Sequence, residues 1–261
     1  MKRLIAAALA AASCTIAHAD SELQLPRLVE SAFNAGADAP EEAQWQFTLT
    51  ADMGEHGGFV ARFDSAQADD ARWTLIEPAS AEDLSDTARE AWTNMSTPDD
   101  DEDTSDDAAG DDGEEARSFS IGGSGSGLYF GRDGMELVAG GVAELRNTPS
   151  QVIYSFLPDL TDDDGDDSMG EAMAEYLRGE LTISRNNPFV ELLRIHAPES
   201  FKPNFMVRIH AFEMEMEFER LAGHPAPVMT RFLTHVEASA MMQRVNQHME
   251  FRFSDIVVVN P

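Results

Sequence analysis

The sequence predicts a mainly β protein: a curved, half-barrel-like antiparallel sheet with a few short helices and a disordered acidic insertion. Three observations predict it. Residues 212–219 read FEMEMEFE, with Phe212, Met214, Met216 and Phe218 on one side and Glu213, Glu215, Glu217 and Glu219 on the other. Such strict alternation is the mark of a half-buried antiparallel strand, whereas a helix would scatter both classes around its axis. Apolar runs of strand length recur along the chain, bounded by Gly, Pro, Asn and Asp. Helical periodicity is confined to short stretches.

Taken in order, Trp45-Gln46-Phe47-Thr48-Leu49-Thr50 places three apolar residues on one face. Phe59 to Phe63, Trp73 to Ile76, Val152 to Phe156, Gly179 to Ser184 and Phe189 to Ile195 are further strands. Upstream of the alternating strand, Phe205, Val207 and Ile209 occupy the odd-numbered face. The parity therefore changes near Ala211, which predicts a bulge or bend there. Met229 to Met242 and His248 to Val259 complete the set. Arg231, Arg244 and Arg252 are cross-strand partners for the glutamate row.

Helices are few. Leu23 to Phe33 forms one, with Pro26 in its first turn. Ser80 caps a second, with an acid at the third position and Leu84, Ala88, Ala91 and Trp92 at helical spacing. Ser168 to Leu177 is a weaker third, with Met169, Met173, Tyr176 and Leu177 on one side. Few helices and about ten strands suggest one curved sheet. Regular spans of about ten residues, expected of an outer-membrane barrel, do not recur.

Residues 1–19 read MKRLIAAALAAASCTIAHA: two cations, a short apolar stretch, then Ala17-His18-Ala19 before Asp20. This is the pattern of a secretory signal peptide, too short to span a bilayer as a helix. Residues 20–261 then form a single β-rich domain, most simply periplasmic. Lipidation at Cys14 is disfavoured, because Ala11-Ala12-Ser13 lacks the large apolar residue expected three places before the cysteine. Cys14 is the sole cysteine of the chain, so a mature form holds no thiol chemistry or disulfide. No later run approaches spanning length, so no transmembrane segment is expected.

The chain of 261 residues has a formal net charge of −30, from 18 Lys+Arg against 48 Asp+Glu. Nucleic acid is excluded as a partner, since phosphate binding needs clustered cations. The acids concentrate in two tracts, 97–115 with 11 and 159–171 with 7. Charge repulsion and a lack of apolar residues predict disorder across 97–117. Neither tract is an EF-hand. Counting back from Gly165 or Gly113 puts Leu160 or Ala108 where the first aspartate belongs.

Other chemistry is weighed residue by residue. Ser120 to Gly127, SIGGSGSG, has no Lys for a P-loop. Neither Ser124 nor Ser126 has glycines two before and two after it, as a nucleophile elbow needs. The stretch reads as a linker. The glutamate row offers equivalent carboxylates, where acid–base catalysis needs contrasting ones. His210, His235 and His248 converge only if strand pairing brings them together, and no HxH or HExxH spacing occurs. No catalytic residue, metal ligand or cofactor is assigned.

The order of features resembles a known family. A signal peptide precedes a short helix, an inserted helix follows the early hairpins, and a meander of long strands ends the chain. This is similar to the periplasmic lipoprotein carriers, the LolA/LolB-like half-barrels. Phe63-Asp64 through Arg72-Trp73-Thr74-Leu75, and Val152-Ile153-Tyr154-Ser155-Phe156 with Leu177-Arg178-Gly179-Glu180-Leu181, also resemble patterns in exported proteobacterial proteins. The resemblance implies an unclosed barrel with a helical lid and an apolar cavity for acyl chains. It assigns no functional residue, and the insertion at 97–115 departs from the family pattern.

The leading expectation is a non-enzymatic exported protein that binds a lipid, lipoprotein or other apolar ligand. Its candidate contact residues are Phe212, Met214, Met216, Phe218, Met229 and Met249, since Met-rich surfaces adapt to varied apolar partners. The alternative is an envelope protein whose acidic tracts engage basic protein partners or cations.

Overall fold

The computed structural model describes residues 26–37, 44–97, 128–129, 138, 141–158, 173–224, 226–240 and 243–260. The signal segment, the acidic tracts beyond Thr97, the glycine-rich stretch, Leu23 to Leu25 and the pair Met241 and Met242 lie outside the described residues. No helix among the described residues is long and apolar enough to cross a membrane.

Two helices and ten strands are described. They are α1 (Arg27–Ala37), β1 (Gln44–Asp52), β2 (Gly58–Asp64), β3 (Trp73–Glu77), α2 (Asp86–Ser96), β4 (Val142–Asn147) and β5 (Gln151–Phe156). There follow β6 (Arg178–Ser184), β7 (Val190–His196), β8 (Val207–Glu219), β9 (Val228–Ala240) and β10 (Gln243–Asn260). All ten strands form one open sheet in the order β3-β2-β1-β10-β9-β8-β7-β6-β5-β4, and every pairing is antiparallel. The meander from β4 to β10 places each strand beside its successor. The first three strands then continue the sheet on the far side of β10.

The sheet follows from period-two patterning. In β1, Trp45, Phe47, Leu49 and Ala51 are buried while Gln46, Thr48 and Thr50 point to the other side. One register row of the same face runs Leu181, Leu193, Met216, Phe232, Phe251 and Ala51 across six strands, all buried. Toward β3 the face ends in an aromatic group. Phe47 lies 4.9 Å from Phe63, 5.7 Å from Trp73 and 5.5 Å from Phe253, centroid to centroid. Gly179 is a steric necessity. It pairs with Phe156, and a Cβ there would fall 2.2 Å from the Phe156 ring.

The parity change at Ala211 is a register shift between Ile209 and Ala211 against β9, so the strand continues through it as one element. The edge strand β4 has no counterpart in the sequence reading. Val142–Asn147 is exposed along nearly its whole length, and it carries the charged side chains Glu144 and Arg146. Charged, exposed edges resist pairing with other chains.

Helix boundaries differ from expectation. The segment beginning at Ser80 is two elements. Ser80 Oγ accepts from the Glu82 N–H and caps a short 3-10 turn. Leu84 is then extended, and Ser85 caps α2 by accepting from the Ala88 N–H. Two successive cap-forming serines break what apolar spacing alone joins. α1 starts at Arg27, with the Pro26 carbonyl accepting from Val29 and Glu30. Of the stretch 168–177, only Met173 and Ala174 are helical among the described residues.

α1 buries Val29, Ala32 and Phe33 and packs toward β6, while Trp92 of α2 meets Phe59 of β2 at 5.7 Å.

Candidate functional site

The six apolar residues singled out from the sequence share one sheet face but differ in burial. Met216, Phe218 and Met229 belong to the packed core. Phe212, Met214 and Met249 are only partly buried and lie against its margin. Register explains the gradient. The buried row through Met216, Phe232 and Phe251 is followed by Ile195, Met214, Thr234 and Met249, then by Phe212 opposite Val236. Beyond the bulge the row is Ile209, Ala238 and Val245, and Val245 is exposed. An apolar strip thus leaves the core along β8 and β9, with the adaptable Met214 at its middle, and on β10 it holds Met249 and Val245 on either side of the exposed Gln247.

The opposite face of the same strands holds an ionic lattice. Arg231 donates to Glu250 at 2.5 Å, to Glu217 at 2.7 Å and to Glu215 at 3.1 Å. Arg194 donates to Glu213 and lies 3.2 Å from Glu215, and Arg252 donates to Glu250 at 2.8 Å. Of the three arginines expected opposite the glutamate row, Arg231 meets it, Arg252 meets Glu250 instead, and Arg244 makes no ion pair among the described residues. Arg194 has no signal in the sequence, because its role depends on β7 lying beside β8.

These groups are half-dry. Burial opposes the charge on Arg231, yet hydrogen bonds to Glu250 and Glu217 hold its guanidinium above the ordinary arginine value. Burial pushes the Glu250 carboxyl up, but hydrogen bonds from Arg252 and Arg231 outweigh it and hold that carboxyl below the ordinary range. Glu213, Glu215 and Glu217 each face a guanidinium, the arrangement of a structural lattice and not of an acid–base pair.

Of the three histidines, two meet. His235 pairs with His248 across β9 and β10, ring centroids 6.0 Å apart, while His210 Nε2 bonds Ser239 Oγ at 2.9 Å. A different trio has ligand spacing: one atom each of Asp52, His248 and Glu250 lie within 4.8 Å of one another. Sequence spacing hides this trio, since β1 and β10 come from opposite ends of the chain. Two guanidiniums already bond Glu250, and Asp52 Oδ1 accepts from the Gly54 N–H at 2.8 Å.

An open groove of about 730 Å³ runs beside Ile153, Thr182, Leu192 and Glu217, which share a register row on the ionic face. Of the six sequence-chosen residues, Phe218 borders it. Its lining mixes Glu191, Glu217 and Glu219 with Arg220, which lies 5.7 Å over the Phe189 ring.

The molecule is thus an open, all-antiparallel sheet protein with one apolar and one ionic face. No protein-family model, no curated protein and no solved structure matches the chain.

Proposed function

We propose that the protein is an exported, non-enzymatic binding protein that holds a lipid, a lipoprotein acyl chain or another apolar ligand against its half-barrel sheet. The observation that carries this reading is the strip of Phe212, Met214 and Met249, which continues the core face outward while remaining partly open. Soluble proteins keep contiguous apolar surface small unless it meets something. The ionic face argues in the same direction, since Glu213, Glu215, Glu217 and Glu250 are all engaged by arginines rather than left as free bases. The signal-like segment at residues 1–19 and the resemblance to periplasmic lipoprotein carriers agree with it, and periplasmic delivery of an acyl cargo is the natural role.

The test is titration with a fluorescent fatty-acid probe. The parent binds it, and Met214→Gln with Met249→Gln weakens binding on the order of tenfold, because each methionine forfeits buried apolar contact. Both positions are partly exposed, so thermal stability falls only slightly. A parent that shows no saturable probe binding, or a double variant that binds as tightly as the parent, contradicts the reading.

A further inference from the structure

The loop between β7 and β8 runs back along β8, bonded to it at Ala197 and Phe201, before it turns at its tip. Its base is pinned. Phe201 is buried, exchanges both backbone hydrogen bonds with Ile209 at 3.0 and 2.9 Å, and stacks on Tyr176 at 4.7 Å. Its tip is shaped by Asn204, whose Oδ1 accepts from the Met206 and Val207 N–H groups at 3.0 and 2.9 Å. Pro203 and Asn204 thereby turn Phe205 out of the strand. The sequence pattern aligns Phe205 with Val207 and Ile209, yet the residue is 89% exposed and Met206 beside it is 45% exposed. A loop held at both ends displays them.

Cations surround these two side chains. Arg208 and Arg244 both pair with Ser239, one from each side, so they flank it on the same sheet face, about 10 Å apart at the usual strand spacing. Lys202 completes a shallow depression that also includes Phe205 and Met206 and has no acid among the described residues that line it. Lys202, Arg208 and Arg244 make no ion pair among the described residues, in a chain with 48 acids for 18 bases. The next acid inward along β9 on that face, Glu237, lies 3.5 Å from His235.

We infer that this tip docks the protein on an anionic phospholipid surface, with Phe205 and Met206 entering the headgroup–acyl boundary and Lys202, Arg208 and Arg244 meeting phosphates. An exposed aromatic ringed by basic side chains has the amphipathic character of an interfacial anchor. The net charge of −30 does not prevent it. At physiological salt, charges more than about 8 Å from the surface are largely screened, so the local sign at the tip decides. The inference stands apart from the cargo reading: an empty protein can dock, and a loaded one can fail to.

The experiment is vesicle co-flotation of the parent chain with phosphatidylglycerol vesicles and with phosphatidylcholine vesicles. Every variant keeps the same N-terminus, so any affinity of the first 19 residues cancels from the comparison. The parent is expected to float with the anionic vesicles, less so as salt rises. Arg208→Gln and Arg244→Gln each weaken partitioning about fivefold. Phe205→Ser with Met206→Ser weakens it on the order of tenfold. All four side chains lie at the loop tip or on the open face beside it, so unchanged melting curves establish that folding is not at issue. Absence of parent binding beyond what the charge and loop variants retain overturns the inference. So does loss in the arginine variants with full binding in the Phe205/Met206 variant, which marks a simple anion site.

Discussion

Replacing Arg231 with methionine is expected to lower the unfolding free energy by about 2–3 kcal/mol, below the scale of about 3–5 kcal/mol for a fully buried ion pair because these groups keep some contact with water. The side chain is 24% exposed and bonds three carboxylates, of which Glu250 is 11% and Glu215 18% exposed. Its loss leaves three negative groups facing one another in partly dry surroundings, where Glu250 keeps Arg252, Glu215 keeps Arg194 and Glu217 keeps no arginine among the described residues. Arg231→Lys recovers only part of the loss, since one ammonium cannot reproduce a planar fork spanning three partners. Arg231→Met combined with Glu215→Gln and Glu250→Gln recovers more, because two of the three facing negative charges are gone. Denaturant melts of the series measure this. A single variant within about 0.5 kcal/mol of the parent, the range of ordinary surface changes, contradicts a lattice centred on Arg231.

The same lattice sets an acid limit. The Glu250 carboxyl has a folded pKa below its unfolded value, so its contribution is fully present above about pH 4.3 and is lost as pH falls through the folded pKa. The stability difference between parent and Glu250→Gln is therefore constant at neutral pH and shrinks in acid. A difference that shrinks as the medium is taken from mildly acidic to mildly alkaline has the opposite sign and contradicts the depressed carboxyl.

Gly179→Val is the second large effect. The Phe156 ring occupies the position that any side chain at 179 needs, with three ring atoms no more than 2.4 Å from where a Cβ would lie. Phe156 is itself buried, so the ring has nowhere open to go. Overpacking of this kind costs about 1–3 kcal/mol or more. The signature is in the double variant. Phe156→Ala alone destabilises by about 3–5 kcal/mol by leaving a cavity, and Gly179→Val in that background costs much less than in the parent. Additive losses would mean that the two positions do not compete for one volume.

Much of the sheet is legible in the chain because its strands are dry on one side only. Glu213 to Glu219 alternate with apolar residues, so the sequence states both the strand and its facing, and the parity change states the bulge at Ala211. β4 is illegible for the converse reason: an exposed edge strand needs no apolar alternation. The segment from Ser80 reads as one helix by its apolar spacing, and only the extended backbone at Leu84 divides it between a turn capped by Ser80 and a helix capped by Ser85.

The candidate site divides in the same way. Membership of Met214 and Met216 in one face follows from period two alone, and Met249 joins them through the pairing of both strands with Thr234 of β9. Which of them stays partly open depends on its register row across β7 to β10, and that is a property of the assembled sheet. Arg194 and the Asp52, His248 and Glu250 trio depend on strand order, which local patterning does not encode. Phe205 reads as part of a strand because it obeys the period. The Asn204 side chain, competing for the Met206 and Val207 N–H groups, turns it out.

The central claim is that the apolar strip holds a ligand, and the most direct measurement is mass spectrometry of solvent extracts from the natively purified protein. The expected result is a lipid or acyl species near one per chain, depleted when Met214→Gln and Met249→Gln are combined. An extract without acyl species, or one unchanged in the double variant, would contradict it.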